Sequence, residues 1–426
     1  MKTIALFGAG KSATVLIEYL IEEGRKYDWI LLVADASKEL IESKTKKVAH
    51  TRAIQLDITD ANARREIITT ADIVISMMPA HLHYLVATDC VELKKNLLTA
   101  SYVDEGIRNL KEKIEANNLL FLCEIGLDPG IDHMSAMKLF HEIEAKGGTV
   151  TSFKSHCGGL VAPESDNNPW HYKISWNPRN VVLAGKAGAI YKKDGKTVTV
   201  AYDKVFEDSD DIAIEGLDVL ATYPNRDSLS YIPLYHLDKA ETFIRTTLRY
   251  PAYNKAWDYI IDAGLTNDTD NLQTDGLTYK EWAKGITPFV NDENEELYEF
   301  LGLFDETNVP ANAKSSADIM QYLLETKLAM QPHDKDMIVM LHEIEYEVKS
   351  KKSKVESSLI VKGDDSLHTA MAKTVGLPLG IAAKLILRGK IQLTGIQIPV
   401  VKEIYEPVLE ELAEHGIVFK ETITTN

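Results

Sequence analysis

The chain has 426 residues, with 47 Lys and Arg against 64 Asp and Glu, a formal net charge of −17. This length supports two or three domains, each with its own core, while the acidic balance repels phosphate backbones and argues against nucleic acid as a partner. No uninterrupted apolar run approaches the ~18 residues of a membrane span, the apolar stretch Ile4–Phe7 is too short for a secretory signal, and three cysteines without a CxxC pair give no disulfide framework. The expectation is a cytoplasmic protein with reduced thiols.

Residues 3–7 form a short apolar run with strand character, followed by Gly8-Ala9-Gly10. A helical pattern comes next, with Val15, Leu16, Tyr19 and Leu20 on one side. Residues 29–34 are a continuous apolar run that ends at Asp35, as expected of a strand buried on both faces of a parallel sheet. The alternation continues with a strand at 53–56 before Asp57, a helix at 60–70 and a strand at 72–76 before Met77-Met78-Pro79. A helix at 81–95, a strand at 96–100, a helix at 104–117 and a strand at 119–123 complete six strands. Strands and helices alternating with short links make a doubly wound α/β sheet of the Rossmann type. After Pro129-Gly130 the pattern changes: a helix at about 131–146, strands at 149–156 and 196–202, and a mostly helical stretch at 210–330. Residues 337–348 and 355–362 pair as strands about the basic turn Lys349–Lys354, and the tail is helical at 370–375 and again at 380–387.

The first βα turn reads Gly8-Ala9-Gly10-Lys11-Ser12-Ala13, a GxGxxA fingerprint in the context that gives it meaning, after a strand and at the start of a helix. Gly8 permits the tight turn, Gly10 lets a pyrophosphate approach the helix N-terminus, and Ala13 keeps the helix close to the strand. Asp35, at the end of the second strand, suits the ribose hydroxyls and repels a 2′-phosphate, which favours NAD over NADP; a helix-capping role is the alternative. Lys38 is close enough in sequence to soften that repulsion. Asp57 is placed to meet the adenine edge or to cap a helix, and Pro79 stands where the chain passes the nicotinamide ribose in such folds. His81 and His83 lack the spacing of a metal site, so no metal is expected.

Thr-Ala-Ser-Tyr-Val (99–103), Glu-Ile-Gly-Leu-Asp-Pro-Gly-Ile-Asp-His (124–133) and Cys-Gly-Gly-Leu-Val-Ala-Pro-Glu (157–164) resemble the saccharopine dehydrogenase family, and its glutamate-forming branch in particular. Tyr-Pro-Asn-Arg-Asp-Ser (223–228), Thr-Leu-Arg-Tyr (247–250) and Val-Gly-Leu-Pro-Leu-Gly-Ile-Ala-Ala (375–383) extend the likeness in order along nearly the whole chain. The resemblance implies a dinucleotide domain at 1–130, and a substrate-binding and dimerisation α+β domain at 131–374 with a helical insertion at about 210–330. It also implies a C-terminal segment at 375–426 that returns to the first domain, and a homodimer. The implied reaction is oxidation of saccharopine with NAD(P) and water to L-glutamate and 2-aminoadipate 6-semialdehyde. Asp35-Ala36 departs from the basic residue expected of NADP-using biosynthetic relatives, which points to NAD and to lysine degradation.

A substrate with three carboxylates calls for cations. Arg226 is the first choice for a bidentate clamp, with Arg249, Arg245 and Arg179 behind it. Tyr102 and Asp128 follow strands five and six, the edge where open α/β sheets bind ligands, and both the position and the resemblance make them the acid–base candidates. A plain Asp-Pro-Gly turn and a core aromatic are the alternatives for them. Cys157 and Gly158 are expected to line the substrate cleft, the glycine offering backbone amides to a carboxylate. By resemblance, Thr247 joins Arg249 among the substrate contacts. Two other readings stand beside this one: a carboxynorspermidine or homospermidine synthase acting on polyamine-like substrates, and a non-catalytic NAD-binding regulator.

Overall fold

The computed structural model describes residues 1–45 and 48–425. The N-terminal stretch runs β1 (Thr3–Phe7), α1 (Thr14–Tyr27), β2 (Ile30–Asp35), α2 (Lys38–Thr45), β3 (Thr51–Gln55), α3 (Ala61–Thr70) and β4 (Ile73–Ser76). It continues through α4 (His83–Glu92), β5 (Asn96–Thr99), α5 (Glu105–Asn109), α6 (Lys111–Ala116), β6 (Leu120–Leu122) and α7 (Ile131–Ala145). There follow β7 (Gly148–Val161), α8 (Pro178–Val182), β8 (Ala189–Lys193), β9 (Lys196–Val200), β10 (Asp211–Ile212), β11 (Leu220–Pro224), β12 (Arg226–Asp227) and β13 (Thr242–Arg249). Four helices come next, α9 (Pro251–Asp262), α10 (Tyr279–Trp282), α11 (Glu295–Leu301) and α12 (Ser316–Lys327), then the long pair β14 (Asp336–Val348) and β15 (Lys351–Lys362). The chain ends with α13 (Ala370–Leu387), β16 (Gly395–Gln397), α14 (Lys402–Glu414) and β17 (Lys420–Thr425).

These elements divide into two units, residues 1–142 with 367–418, and residues 143–366 with 419–426. The boundaries therefore stand at 142 and 366 rather than at 130 and 374. The last strand belongs to the second unit and not to the first.

In the first unit seven parallel strands lie in the order β16-β6-β5-β4-β1-β2-β3. β1 and β4 are buried almost throughout, which is why their sequences are continuous apolar runs rather than alternating ones. The chain order reverses between β1 and its neighbours β2 and β4, so a crevice opens at the C-terminal ends of β1 and β4. The seventh strand, β16, is short and comes from the C-terminal segment, and a three-residue strand carries little periodicity to read.

Residues 370–387 form one helix, not two. The helix runs through Pro378, and by length and composition α13 is apolar enough to cross a membrane. It is instead a mostly buried core helix laid against α1. A Cβ on Gly376 would come within 3.0 Å of Leu16, and one on Gly380 within 2.5 Å of the Tyr19 ring. Those two glycines let the helices touch.

In the second unit the main path of the sheet is β10-β11-β13-β7-β14-β15-β17, with β8, β9 and β12 attached at its side. β13 and β7 run parallel, and β14 pairs antiparallel with both β7 and β15. Residues 210–250, expected to be helical, hold the four strands β10 to β13 joined by turns and a short 3₁₀ helix. In β13 the alternation is hidden, because one buried face carries Phe243, Arg245, Thr247 and Arg249, so two cations stand where apolar residues would mark a strand. The basic turn is shorter than expected: only Lys349 and Ser350 turn, both with positive φ, and β15 begins at Lys351. One face of the sheet carries Leu160, Leu248, Met337, Val339 and Leu341. Tyr223, by contrast, belongs to an aromatic and aliphatic core with Trp170, Tyr253, Trp257 and residues of α11 and α12.

Candidate active site

The site elements of the first unit gather at the C-terminal ends of its strands. Gly8 has φ +101°, and a Cβ there would meet the Met77 carbonyl at 2.8 Å, so the turn after β1 and the end of β4 can approach only because Gly8 has no side chain. Gly10 is exposed, with nothing within 4 Å of the position a Cβ would take, and it stands before Lys11–Ala13, a turn of 3₁₀ helix that leads into α1. Among the described residues no side chain caps that N-terminus. Open space over a glycine and an uncapped helix start fit a pyrophosphate. Lys11 is exposed, Ser12 half-buried and Ala13 buried against the sheet.

Asp35 ends β2 half-buried. Its Oδ2 accepts the Ala9 N–H at 2.8 Å, and its Oδ1 accepts the Ser37 N–H at 3.0 Å. The cap of α2 is Ser37, whose Oγ accepts the Leu40 N–H at 3.2 Å. Asp35 is therefore not the helix cap; it braces the glycine turn and keeps lone pairs for a ligand. Lys38 is exposed, and its ion pair is with Glu42 at 3.9 Å. Asp57 is exposed, and its Oδ1 accepts both the N–H and the hydroxyl of Thr59, bonds that lower its pKa. That is a turn-capping role, while the cap of α3 falls to Asp60. Pro79 is exposed and starts the short 3₁₀ turn at 80–82.

Tyr102 and Asp128 are brought together: the Tyr102 hydroxyl donates to Asp128 Oδ1 at 3.4 Å, both residues being half-buried. Behind them lies a buried group that sequence reasoning did not assemble. Glu124, with φ +57°, accepts the Val103 N–H at 3.0 Å through Oε1, and its Oε2 lies 3.0 Å from His133 Nε2. His133 Nδ1 is 3.6 Å from Asp132, whose other oxygen accepts the Gly130 N–H at 2.6 Å. The cluster thus grips the residue after Tyr102 and the residue two beyond Asp128. The available signal was a Glu directly after a buried strand, a place where a charge needs partners.

His83 joins the ends of the same strands. Its ring nitrogens lie 2.7 Å from the hydroxyls of Ser76 and Ser101, and burial lowers its pKa to about 4. It is a neutral bridge between two hydroxyls, while His81 is exposed.

In the second unit, register places Tyr223 on β11 and Cys157 on β7 on either side of Thr247 on β13. The three side chains share one face of the sheet. Cys157 is buried, and Thr247 is half-buried. Arg249, two residues further on that face, is buried; its guanidinium lies 4.9 Å from the centre of the Tyr172 ring and 5.6 Å from that of Tyr253, and it donates to the Leu248 carbonyl at 2.7 Å. Among the described residues its Nε has no hydrogen-bond partner. Arg245 is likewise buried, 4.7 Å from the centre of the Tyr231 ring. Gly158 does not form an anion nest. It lies within the ladder between β13 and β14, and a Cβ on it would meet Leu248 at 2.7 Å, so its role is close packing. Arg226 is exposed at the rim with φ +54°, a left-handed conformation that an Arg adopts at a cost and that is common at functional positions. Arg179 is engaged in an ion pair with Asp318 at 2.7 Å and is no clamp for a ligand.

Comparison with known proteins fits this arrangement. A model of the saccharopine dehydrogenase NADP binding domain matches residues 4–122, and one of the saccharopine dehydrogenase C-terminal domain matches residues 126–417. The chain belongs to the saccharopine dehydrogenase family. The solved structure of apo saccharopine dehydrogenase (L-Glu forming) from Saccharomyces cerevisiae superposes with a TM-score of 0.89 at 31% identity, with each chain covered in full. Alpha-aminoadipic semialdehyde synthase is 34% identical in Arabidopsis thaliana, over 92% of this chain and 40% of that protein. The mitochondrial enzyme of that name from Bos taurus is 35% identical, over 98% of this chain and 47% of that protein. The chain thus spans less than half the length of these two relatives. A homospermidine synthase from Legionella pneumophila, at a TM-score of 0.59 and 9% identity, shares the fold alone. Family membership makes the first unit a nicotinamide dinucleotide domain, as the glycine turn and Asp35 had implied. The yeast relative is named for NADP(+), so family membership does not extend to a preference for NAD.

Proposed function

We propose that the chain oxidises saccharopine, with NAD⁺ and water, to L-glutamate and 2-aminoadipate 6-semialdehyde, and that it serves lysine degradation. The observation that carries this reading is the Tyr102–Asp128 pair at the strand ends of a dinucleotide domain, in a chain of this family. The bound nicotinamide supplies the hydride acceptor. Asp128 takes the proton of the secondary amine, and the Tyr102 hydroxyl, donating to Asp128 Oδ1, steadies the carboxylate and returns a proton as water adds to the resulting imine. The carbon that loses hydride is the methylene next to nitrogen on the six-carbon arm. Hydrolysis of the C=N bond then leaves the aldehyde on that arm and the amine on glutamate. Arg226 and Thr247 are the proposed contacts for substrate carboxylate, with Cys157 lining the same face as Thr247.

The preference for NAD rests on Asp35, a carboxylate at the ribose end of β2. A homodimer and a cytoplasmic location belong to the same proposal, on family likeness and on a sequence with three cysteines and no CxxC pair. Purified protein given saccharopine and NAD⁺ should generate the near-ultraviolet absorbance of reduced nicotinamide, and NADP⁺ should do so less well. Absence of signal with either cofactor would overturn the reading. Arg226→Ala should raise the KM for saccharopine far more than that for the dinucleotide.

A further inference from the structure

Lys44, near the end of α2, is turned inward. Its Nζ donates to the Gly10 carbonyl at 2.5 Å. The charged groups that face it are Asp35 from β2 and Glu18 from α1, and Glu18 lies 3.1 Å from the His368 ring. Among the described residues no carboxylate comes within ion-pair distance of Lys44 itself. A half-buried ammonium whose hydrogen bond goes to a carbonyl carries charge that the protein does not fully offset. The position matters because Asp35 also reaches this turn, through the Ala9 N–H. One carboxylate, one ammonium and the glycine turn converge where β2 ends, the place of the adenosine ribose in dinucleotide folds.

We propose that Lys44 is the second determinant of cofactor choice, its ammonium offsetting Asp35 and pairing with a 2′-phosphate, so that the chain takes NADP as well as NAD. The inference rests on the dinucleotide reading of the first unit and not on the identity of the substrate. It reconciles an acidic residue at the end of β2 with relatives named for NADP(+). Burial lowers the pKa of Lys44 to about 8, so in the free protein the ammonium is present at neutral pH and is lost as pH rises through that value.

The test is direct binding of NADPH and NADH, each titrated separately by calorimetry. Lys44→Gln keeps a donor for the Gly10 carbonyl but removes the charge, whereas Lys44→Met removes both. Losing a charge-assisted contact should raise the Kd for NADPH roughly tenfold in both variants, with the Kd for NADH within about twofold in Lys44→Gln. Equal weakening of both cofactors in Lys44→Gln would overturn the proposal and leave Lys44 as a clamp on the turn. The unmodified protein provides a second measurement. Its ratio of NADPH to NADH Kd should rise between about pH 7 and about pH 9, a range over which the 2′-phosphate itself keeps its charge. A flat ratio would overturn the proposal too. If the unmodified protein bound neither cofactor, the dinucleotide reading would fall, and the inference with it.

Discussion

Asp128 and Tyr102 are held by neighbours rather than by their own side chains alone. Glu124 fixes the Val103 N–H beside Tyr102, and Asp132 fixes the Gly130 N–H beyond Asp128, with His133 fully buried between the two carboxylates. Glu124→Ala takes away the acceptor of a half-buried N–H and of a buried imidazole. It should lower stability by about 1–3 kcal/mol, measured by urea unfolding, and lower kcat more than it raises the KM for the dinucleotide. Glu124→Gln keeps an acceptor for Val103 and should recover part of both. Asp128→Asn removes the proposed proton acceptor while keeping shape. It should cost on the order of 10²–10⁴ in kcat at unchanged dinucleotide Kd, a split read by steady-state kinetics beside calorimetry. The pair itself was legible in the sequence because each residue follows a continuous apolar strand. Its support was not, since Glu124, Asp132 and His133 form one group only after β6 turns into α7.

Elements show where the sequence was readable and where it was not. The parallel strands announced themselves through burial on both faces, whereas β13 was masked by Arg245 and Arg249 on its buried face. The fit of α13 on α1 was invisible for a different reason: it depends on what two glycines lack. Tyr19 donates to Glu411 Oε1 at 2.5 Å, so its ring cannot easily swing away from a Cβ at position 380. Gly380→Ala should therefore destabilise by roughly 1–3 kcal/mol. Because α1 carries the glycine turn at its N-terminal end, the Kd for NADH should rise as well; thermal melts with and without NADH would check both. In the second unit β7, β14 and β15 are joined by charge as well as by ladders. Glu343 lies 3.2 Å from His156 and 2.6 Å from Lys354, and these partners hold its pKa at about 2. A folded-state pKa below the unfolded one gives stability that is complete above about pH 4.5 and lost as pH falls towards 2. Glu343→Gln should thus be less stable than the parent near neutral pH, with the gap in urea midpoint closing across that acidic window.

At the scale of the whole molecule the governing fact is connectivity. The first unit takes α13, β16 and α14 from residues that follow the 143–366 stretch of the second unit, and β16 pairs in parallel with β6 through Gly395 and Leu120. Its sheet is incomplete, and the face of α1 that carries Leu16 and Tyr19 is uncovered, until the end of the chain is in place. β17 goes the other way and adds an edge strand of six exposed residues to β15. Two truncations separate these roles. Ending the chain after Ser366 removes α13, whose burial far exceeds that of any single side chain, and uncovers a helix and a strand edge together. That product should bind NADH no better than background and aggregate on purification. Ending it after Val418 removes the exposed strand β17 and the half-buried Phe419, which stacks on His342, all of them in the second unit, so the Kd for NADH should stay within about twofold of the full chain. Calorimetry on the two proteins decides the matter: if the shorter one still bound NADH like the full chain, the C-terminal segment would be an accessory and not a structural part of the dinucleotide unit.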